Sequence, residues 1–490
     1  MDSRRLDRSL FHGLAWTGLL KWVSQALSWA VMIYVARLLT PADFGTVAMA
    51  SVAIGLARMV DDLGLDAAIV QDRTLTPEQM SRLGGLALAL GCALCLIFVA
   101  LSLPIATFFH ERAVTWIICV LSINFITDAL QVVPRALLQR DLAFRRLAWV
   151  QGLQVLSSTV CTAALGFGYW ALVLNSVVSG VGVTLLLYMW RPHPLAWPRR
   201  LRSVGRAVTF GWHLLLSRIA WYAYSNVDSA LVGRLLGKVA LGSYSLGMTF
   251  ATIPVTEVSS LVGRVVPGVF STVQGDRAGL KRYFLMLTEG ISYLTLPATL
   301  GLALTADTFV PLVLGPQWVS AIPTLRFLAL YTAMLSVTTL LSHVLLWTGH
   351  SKWNMLLNVL ALVVLTPLFY VASRWGAAGV AASWTVGFPL VTLPAFFAVF
   401  KILGIGPVPY LRALGPAFLA SVAMAAAVEA ARAAVPAHAA IGVRFAAHVG
   451  SGAAVYVATI ALAYRSRVRA ITDAVRGRPG AALADAPEAA

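Results

Sequence analysis

Cations inside apolar segments are the residues of this sequence with the clearest chemical meaning. Lys21 lies in the first long apolar run, four residues before Gln25, and Arg218 lies in a later run with Tyr222 at the same spacing. Residues four apart share one face of a helix. Because a charge in hydrocarbon is costly, it usually faces a partner or a water-filled cavity. The two pairs predict a surface that binds an anionic ligand.

Three more cations extend this predicted substrate site. Arg58, Arg264 and Arg326 lie in or at the ends of further apolar runs. Arg58 and Arg264 could equally be cations that snorkel to the cytoplasmic surface. Arg326 could pair with Glu289 instead of contacting a substrate.

Three acids also lie in apolar runs, namely Asp128, Asp228 and Glu257. Each could bind a coupling proton or sodium ion, although an ion pair with a cation is the favoured interpretation. Asp128 and Asp228 could be structural partners of Lys21 and Arg218, which remains an alternative to a substrate role for those cations.

One predicted helix carries an unbroken polar stripe, formed by Asn124, Asp128, Gln131 and Arg135. The spacing places all four side chains on one helix face. Such a face could not be exposed to lipid, so the stripe is expected to line a water-filled lumen.

The elements that must position these residues are membrane helices. The chain is 59% hydrophobic and 12% charged, whereas a soluble protein carries about 25% charged residues. Long apolar stretches recur throughout the sequence, and the alternation of a membrane barrel is absent. The sequence predicts an all-α integral membrane protein with about fourteen transmembrane helices, at approximately 13–39, 42–62, 80–103, 113–134, 145–166, 168–189, 205–235, 239–268, 283–305, 319–346, 353–373, 377–399, 408–430 and 441–464.

The positive charge of the chain fits this topology. The net charge is +17, and most Lys and Arg residues fall in alternate loops, as expected when these loops are cytoplasmic. The N- and C-termini are then predicted to be cytoplasmic, and nucleic acid is not a predicted partner. Cys92 and Cys95 form one C-x-x-C pair in an apolar segment, which is only half of a zinc site, so neither a metal nor a cofactor is predicted.

A short string occurs twice in the chain. RLLTPADFG at 37–45 and RLLGKVALG at 234–242 share Arg, Leu, Leu and Gly at equal spacing. Together with their flanking topology, they predict two six-helix lobes related by a pseudo-twofold axis along the membrane normal. The predicted divisions are 1–200 and 201–400 for the lobes, 401–465 for two extra helices, and 466–490 for a basic, then disordered, cytoplasmic tail. The strings themselves are interpreted as hairpin corners at the outer membrane face.

Four motifs carry a resemblance to a known family: RLLTPADFGTVAMA, GLDAAIVQDRTLT, PRALLQRDLAFRRLA and LGPQWVSAIPTLRFLALYT. The sequence resembles the polysaccharide-transporter flippases of the multidrug/oligosaccharidyl-lipid/polysaccharide exporter superfamily, over roughly residues 10–465. The resemblance implies two six-helix lobes plus two helices in the bacterial inner membrane. It also implies translocation of undecaprenyl-pyrophosphate-linked oligosaccharide to the periplasmic leaflet, for exopolysaccharide or O-antigen synthesis. Expected partners are membrane lipids, the polysaccharide polymerase and chain-length or export proteins, and alternating access would be coupled to a proton or sodium gradient.

Three other functions compete with this interpretation of the sequence. A drug or organic-cation antiporter of the same superfamily would favour inward-facing acids, whereas Lys21, Arg218 and Arg326 favour an anion. A membrane polymerase or glycosyltransferase would need a large loop with clustered acids or histidines, and the acids and histidines of the short outer loops look isolated in sequence: Asp307, His110 and Glu111. Only the four family motifs distinguish the predicted function from that of a peptidoglycan-precursor flippase. The expected protein is a transporter and not an enzyme.

Overall fold

The structure is a computed structural model that describes residues 25–61, 69–70, 75–141, 143, 146, 149–150, 152–154, 168–196, 205–272, 277–436 and 438–465. At 60–61, 205–218, 261–272, 347 and 351 only the backbone is described. All regular secondary structure in these ranges is helical, which confirms the predicted all-α class. Nine helical segments of the described part are long and apolar enough to cross a membrane.

The helices follow the predicted order. They are α1 (Gln25–Leu38), α2 (Pro41–Asp61), α3 (Pro77–Phe109), α4 (Ala113–Leu121), α5 (Ile123–Arg140), α6 (Tyr169–Trp190), α7 (Gly205–Thr272), α8 (Arg277–Phe309), α9 (Ile322–Trp347), α10 (Ser351–Ala372), α11 (Gly376–Leu403), α12 (Pro407–Ala434) and α13 (Ile441–Ala463).

One predicted span differs in detail from these helices. The span predicted at 113–134 is interrupted at Ser122, where α4 ends and α5 begins. The seventh and eighth predicted spans meet within α7 at Gly237, whose φ of 81° and ψ of −178° are non-helical, so the break predicted between 235 and 239 is present. The span predicted at 145–166 lies almost entirely outside the described residues, so the count of fourteen stays a prediction.

Sequence signals at helix ends explain several boundaries. Thr76 caps α3, because its hydroxyl accepts the Gln79 N–H at 3.3 Å and the Gln79 side chain accepts the Thr76 N–H at 2.8 Å. This reciprocal capping box satisfies two backbone donors at the helix start. The same helix ends at His110, which has a left-handed backbone with φ 56°.

The chain forms two compact units, Met1–Gly242 and Ser243–Ala490. In the first unit, α3 and α6 pack on α5. In the second, α8 packs on α9 and α12, α11 packs on α9 and α10, and α13 packs on α12. The predicted domain ranges 1–200, 201–400 and 401–465 stay predictions, and the predicted tail at 466–490 lies outside the described residues.

The segment after α6 contains a half-buried histidine, His193, whose ring nitrogens are buried. The His193 ring lies 5.1 Å from the Tyr188 ring, and the nearby Ala196 N–H donates to the Ser81 carbonyl at 3.2 Å. Within the part of the chain that the structure describes, neither ring nitrogen of His193 has a hydrogen-bond partner. Burial lowers the pKa of His193 from its ordinary value of 6.5, because the charged form loses hydration.

Acidification is therefore expected to destabilise this segment. Below pH 6.5 an unfolded histidine binds a proton before the folded one does, so stability falls as the pH drops through that value. The expected result is a smaller fall in thermal midpoint for His193→Asn than for the wild type between pH 7.5 and pH 5.5, values chosen to lie about one unit on either side of a free histidine pKa. Equal falls in both proteins would show that His193 does not titrate in this way.

Candidate functional site

The structure describes only part of the predicted anion site. Lys21 lies outside the described residues, and Arg218 and Arg264 are described by their backbones alone. Gln25 is half-buried at the start of α1. The part of the predicted anion-binding surface formed by Lys21 and Arg218 therefore stays a prediction.

Arg58 lies on α2, next to a close contact with α7. The Tyr222 hydroxyl donates to the Val52 carbonyl at 2.9 Å. A Cβ atom added at Gly55 would overlap this hydroxyl and lie 2.7 Å from Tyr222 Cζ, closer than real Cβ atoms approach. Gly55 thus lets the tyrosine ring reach the α2 backbone one turn before Arg58, and Arg58 lies within electrostatic range of Tyr222. Tyr222 was predicted as a substrate ligand, and its hydroxyl here joins two helices.

The polar stripe on α5 divides into two parts. Asn124 and Gln131 are buried and contact α6. The Asn124 amide donates to Ser176 at 2.9 Å, and the Gln131 amide donates to the Gly180 carbonyl at 3.2 Å and to Thr184 at 3.0 Å. The expectation that these two amides line a lumen is wrong, because α6 covers them and accepts hydrogen bonds from both side-chain NH2 groups.

The charged members of the stripe form a cluster with Arg58. Arg135 donates from Nη2 to the Gln131 side-chain oxygen at 2.9 Å. Because α6 holds the NH2 group of Gln131, the side-chain oxygen of Gln131 faces the guanidinium group of Arg135. Asp128 is within electrostatic range of both Arg58 and Arg135. We call these three residues (Arg58, Asp128 and Arg135) the charge cluster.

The charge cluster has two cations for one carboxylate. It holds two of the predicted site residues, Arg58 and Asp128, and adds Arg135. Arg135 was predicted as part of the polar stripe, with snorkelling and substrate contact equally open to it. Its spacing of seven residues from Asp128 places both side chains on one helix face.

The other two predicted acids are placed differently. Asp228 is fully buried in α7, and its Oδ1 accepts the Ser229 N–H at 2.6 Å. Glu257 is half-buried further along α7, where its carbonyl accepts the Ser260 hydroxyl at 2.8 Å. Their roles in ion coupling stay predictions.

In the second unit, Arg326 forms an ion pair with Asp307. Arg326 Nη2 lies 3.6 Å from Asp307 Oδ1, and Arg432 Nη2 lies 3.3 Å from the same atom. Glu289, the partner suggested by sequence, accepts the Tyr293 hydroxyl at 2.9 Å. Asp307 pairs with cations of α9 and α12 because the end of α8 lies beside both helices, and among the described residues it belongs to no cluster of three or more acids, histidines or cysteines.

Replacing Asp307 by alanine is expected to destabilise the second unit. The change removes the shared carboxylate, while Arg432 keeps its bond to the Leu304 carbonyl at 2.6 Å. We expect a loss of about 1 kcal/mol, since Arg432 and the more exposed Arg326 lose a shared carboxylate in partly solvated surroundings. Thermal unfolding in detergent measures it, with Glu78→Ala, in an exposed pair with Arg82 at 2.6 Å, as the control. Equal losses in both variants would contradict the structural role of Asp307.

The described helices adopt the fold of a known membrane flippase. The structure titled lipid II flippase MurJ, inward closed conformation, superposes with a TM-score of 0.72 at 11% sequence identity, covering 93% of this chain and 100% of that chain. At this identity the likeness establishes the fold alone. The protein is therefore a multi-pass membrane protein with the fold of that transporter.

The chain belongs to the polysaccharide biosynthesis protein family, whose sequence model matches residues 34–323. It is 26% identical over 421 residues to the lipopolysaccharide biosynthesis protein WzxC of Escherichia coli K12, covering 84% of this chain and 85% of that protein. It is 25% identical over 490 residues to the succinoglycan biosynthesis transport protein ExoT of Rhizobium meliloti strain 1021, covering 98% of this chain and 99% of that protein. These matches confirm the resemblance to the polysaccharide transporters.

Proposed function

We propose that this protein is a flippase for lipid-linked oligosaccharides. It moves undecaprenyl-pyrophosphate-linked repeat units from the cytoplasmic to the periplasmic leaflet of the bacterial inner membrane, for exopolysaccharide or O-antigen synthesis. Family membership and the similarity to WzxC, a lipopolysaccharide biosynthesis protein, and to ExoT, a succinoglycan biosynthesis transport protein, support polysaccharide export. Both termini lie in the cytoplasm, and the polymerase and chain-length or export proteins act on the product.

The observation that carries the proposal is the charge cluster. Two guanidinium groups and one carboxylate leave a positive balance at the cluster. Guanidinium groups bind phosphate oxygens through paired, charge-assisted hydrogen bonds. A pyrophosphate head group suits such a cluster, whereas an organic cation would be repelled by it.

The contacts of the cluster suggest how it acts. Gln131 holds Arg135 in place through its own bonds to α6, so less side-chain freedom is lost when an anion binds. Without substrate, the Asp128 carboxylate partly balances the charge of the two arginines. A bound pyrophosphate would take over this role. The head group crosses by alternating access through a cationic cavity while the polyprenyl tail stays in lipid. Asp128, Asp228 and Glu257 are candidates for the coupling of a proton or sodium ion.

A deletion strain tests the proposal. The expected result is loss of the exported polysaccharide and accumulation of a short lipid-linked oligosaccharide in the cytoplasmic leaflet, restored by the intact gene. Normal polysaccharide without the accumulated lipid would overturn the proposal. Accumulation of a lipid-linked peptidoglycan precursor instead would reassign the substrate.

A further inference from the structure

Two cations of the second unit lie side by side at the membrane surface where α8 and α12 begin and α11 ends. Arg277, the first residue of α8, donates from Nη2 to the Lys401 carbonyl, near the end of α11, at 2.6 Å. A Cβ atom added at Gly404 would lie 3.2 Å from Arg277 Cζ, so the glycine after α11 leaves room for the guanidinium group. Arg277 and Lys401 are both exposed. The fold thus places two accessible cations from different helices at one point.

Buried aromatic contacts hold these helix ends together. The Tyr410 ring of α12 stacks on the Phe284 ring of α8 with 5.9 Å between ring centres, and it lies 5.6 Å from the Phe400 ring of α11. The Tyr410 hydroxyl donates to the Val337 carbonyl of α9 at 2.8 Å. Because packed side chains fix the ends of three helices, the two cations are held near each other before any ligand binds.

No carboxylate balances the two cations. Neither forms an ion pair within the part of the chain that the structure describes. Residues 277–288 and 308–428 contain no Asp or Glu, so the neighbouring parts of α8, α11 and α12 supply no acid. At the other end of α8, by contrast, Arg326 and Arg432 share the Asp307 carboxylate. The unbalanced positive charge at the start of α8 attracts an external anion.

An apolar stripe on α11 leads from Lys401 into the membrane. Its members recur at spacings of four, three and four residues, and the last lies four residues before Lys401, so all share one helix face. The stripe is about 17 Å long at 1.5 Å per residue, which is close to half of the roughly 30 Å hydrocarbon core. Its side chains are between 48% and 73% exposed: Val386, Leu390, Leu393 and Phe397.

We propose that Arg277 and Lys401 bind the phosphate of an anionic phospholipid whose acyl chains lie along this stripe of α11. Guanidinium groups bind phosphate oxygens through charge-assisted hydrogen bonds, and Arg277 keeps N–H donors beyond the one bound to the Lys401 carbonyl. Basic surfaces between membrane helices bind anionic head groups in this way. A zwitterionic lipid carries its own cation beside the phosphate and therefore binds less tightly. The inference goes beyond the proposed flippase function and does not depend on it.

Native mass spectrometry of the full-length protein in detergent tests this lipid site. Phosphatidylglycerol is expected to bind more tightly than phosphatidylethanolamine with the same acyl chains. Arg277→Gln and Lys401→Gln are each expected to weaken phosphatidylglycerol binding about fivefold, and the double variant about twenty-five-fold, as for the loss of one or two cations near a lipid head group. Lys401→Gln keeps the backbone carbonyl that Arg277 binds, so it covers the case in which Arg277→Gln fails to fold.

The matched control is Arg82→Gln/Arg282→Gln, which removes the same charge from two other helix starts. Arg282 lies on α8, but its guanidinium lies over the Tyr283 ring, 5.4 Å from the ring centre. Unchanged phosphatidylglycerol binding is expected. Equal weakening in the control and in the site variants would show a diffuse attraction of charge and overturn the lipid site.

Two further outcomes would also overturn it. One is equal phosphatidylglycerol binding by the wild type and Arg277→Gln/Lys401→Gln. The other is displacement of bound phosphatidylglycerol by sodium pyrophosphate at matched concentration, which would assign the two cations to a pyrophosphate head group. If lipid binding changes as expected but the wild type moves no lipid-linked oligosaccharide, the proposed function fails and the lipid site stands.

Discussion

Replacing both Arg58 and Arg135 by alanine is expected to lower translocation of lipid-linked oligosaccharide by about a hundredfold, from the loss of two charge-assisted hydrogen bonds to pyrophosphate. Each single replacement is expected to cost about tenfold. The effect arises from binding, because both cations lie within electrostatic range of Asp128 and Arg135 is already oriented by Gln131. Polysaccharide export in a deletion strain carrying each variant measures the loss, at matched levels of protein in the membrane.

Arg82→Ala is the control for these variants. Arg82 lies near the start of α3 and pairs with the exposed Glu78 at 2.6 Å. Exposed pairs of this kind contribute little to stability, so export is expected to be unchanged. Equal activity of the double variant and Arg82→Ala would remove the charge cluster from the proposed site.

Gly55→Ala is expected to have the second largest effect. The added Cβ would lie 2.7 Å from Tyr222 Cζ, so either the Tyr222 ring turns away and loses its hydrogen bond to the Val52 carbonyl, or α2 and α7 separate next to Arg58. Overpacking of this kind costs about 1–3 kcal/mol, and displacement of Arg58 is expected to reduce export about tenfold, since small misplacements of positioned groups are costly. Thermal unfolding in detergent and the export assay measure the two effects.

A second substitution separates packing from ligand binding. Tyr222→Ala removes the ring that the new Cβ overlaps, so the Gly55→Ala/Tyr222→Ala protein is expected to recover thermal stability relative to Gly55→Ala. Recovery of export as well would indicate that Tyr222 joins helices, whereas stable protein without export would favour the predicted ligand role. No loss of stability in Gly55→Ala would contradict the close contact itself.

The fold class was predictable because membrane helices need long apolar runs. The positions of α3, α6 and α8 to α13 follow those runs closely. Hydropathy cannot reveal the break at Ser122, since this break depends on backbone geometry within apolar sequence.

The candidate site was predictable only in part. Polar residues at helical spacing identify a shared face, but spacing does not say what covers that face. Asn124 and Gln131 are covered by α6, whereas Asp128 and Arg135 on the same stripe belong to the charge cluster. The pairing of Arg326 with Asp307 could not be derived either, because it depends on how α8 and α9 meet.

The repeated string shows a different limit of sequence reasoning. Its two copies indicated two equivalent corners of a repeated unit. That the copies are each other's packing partners follows only from the contact of Gly45 with Lys238 and of Gly242 with Pro41. Both glycines are required because the backbones touch, which no pattern of residue types discloses.

Translocation by the purified protein in liposomes tests the central claim most directly. Vesicles would contain fluorescent undecaprenyl-pyrophosphate-linked oligosaccharide in both leaflets, and an impermeant reagent outside would destroy the accessible fluorescence. The wild type is expected to expose the inner-leaflet pool, while Arg58→Ala/Arg135→Ala leaves it protected. An inner pool that stays protected with folded wild-type protein under an imposed proton or sodium gradient would contradict the proposal that this protein is a lipid-linked oligosaccharide flippase.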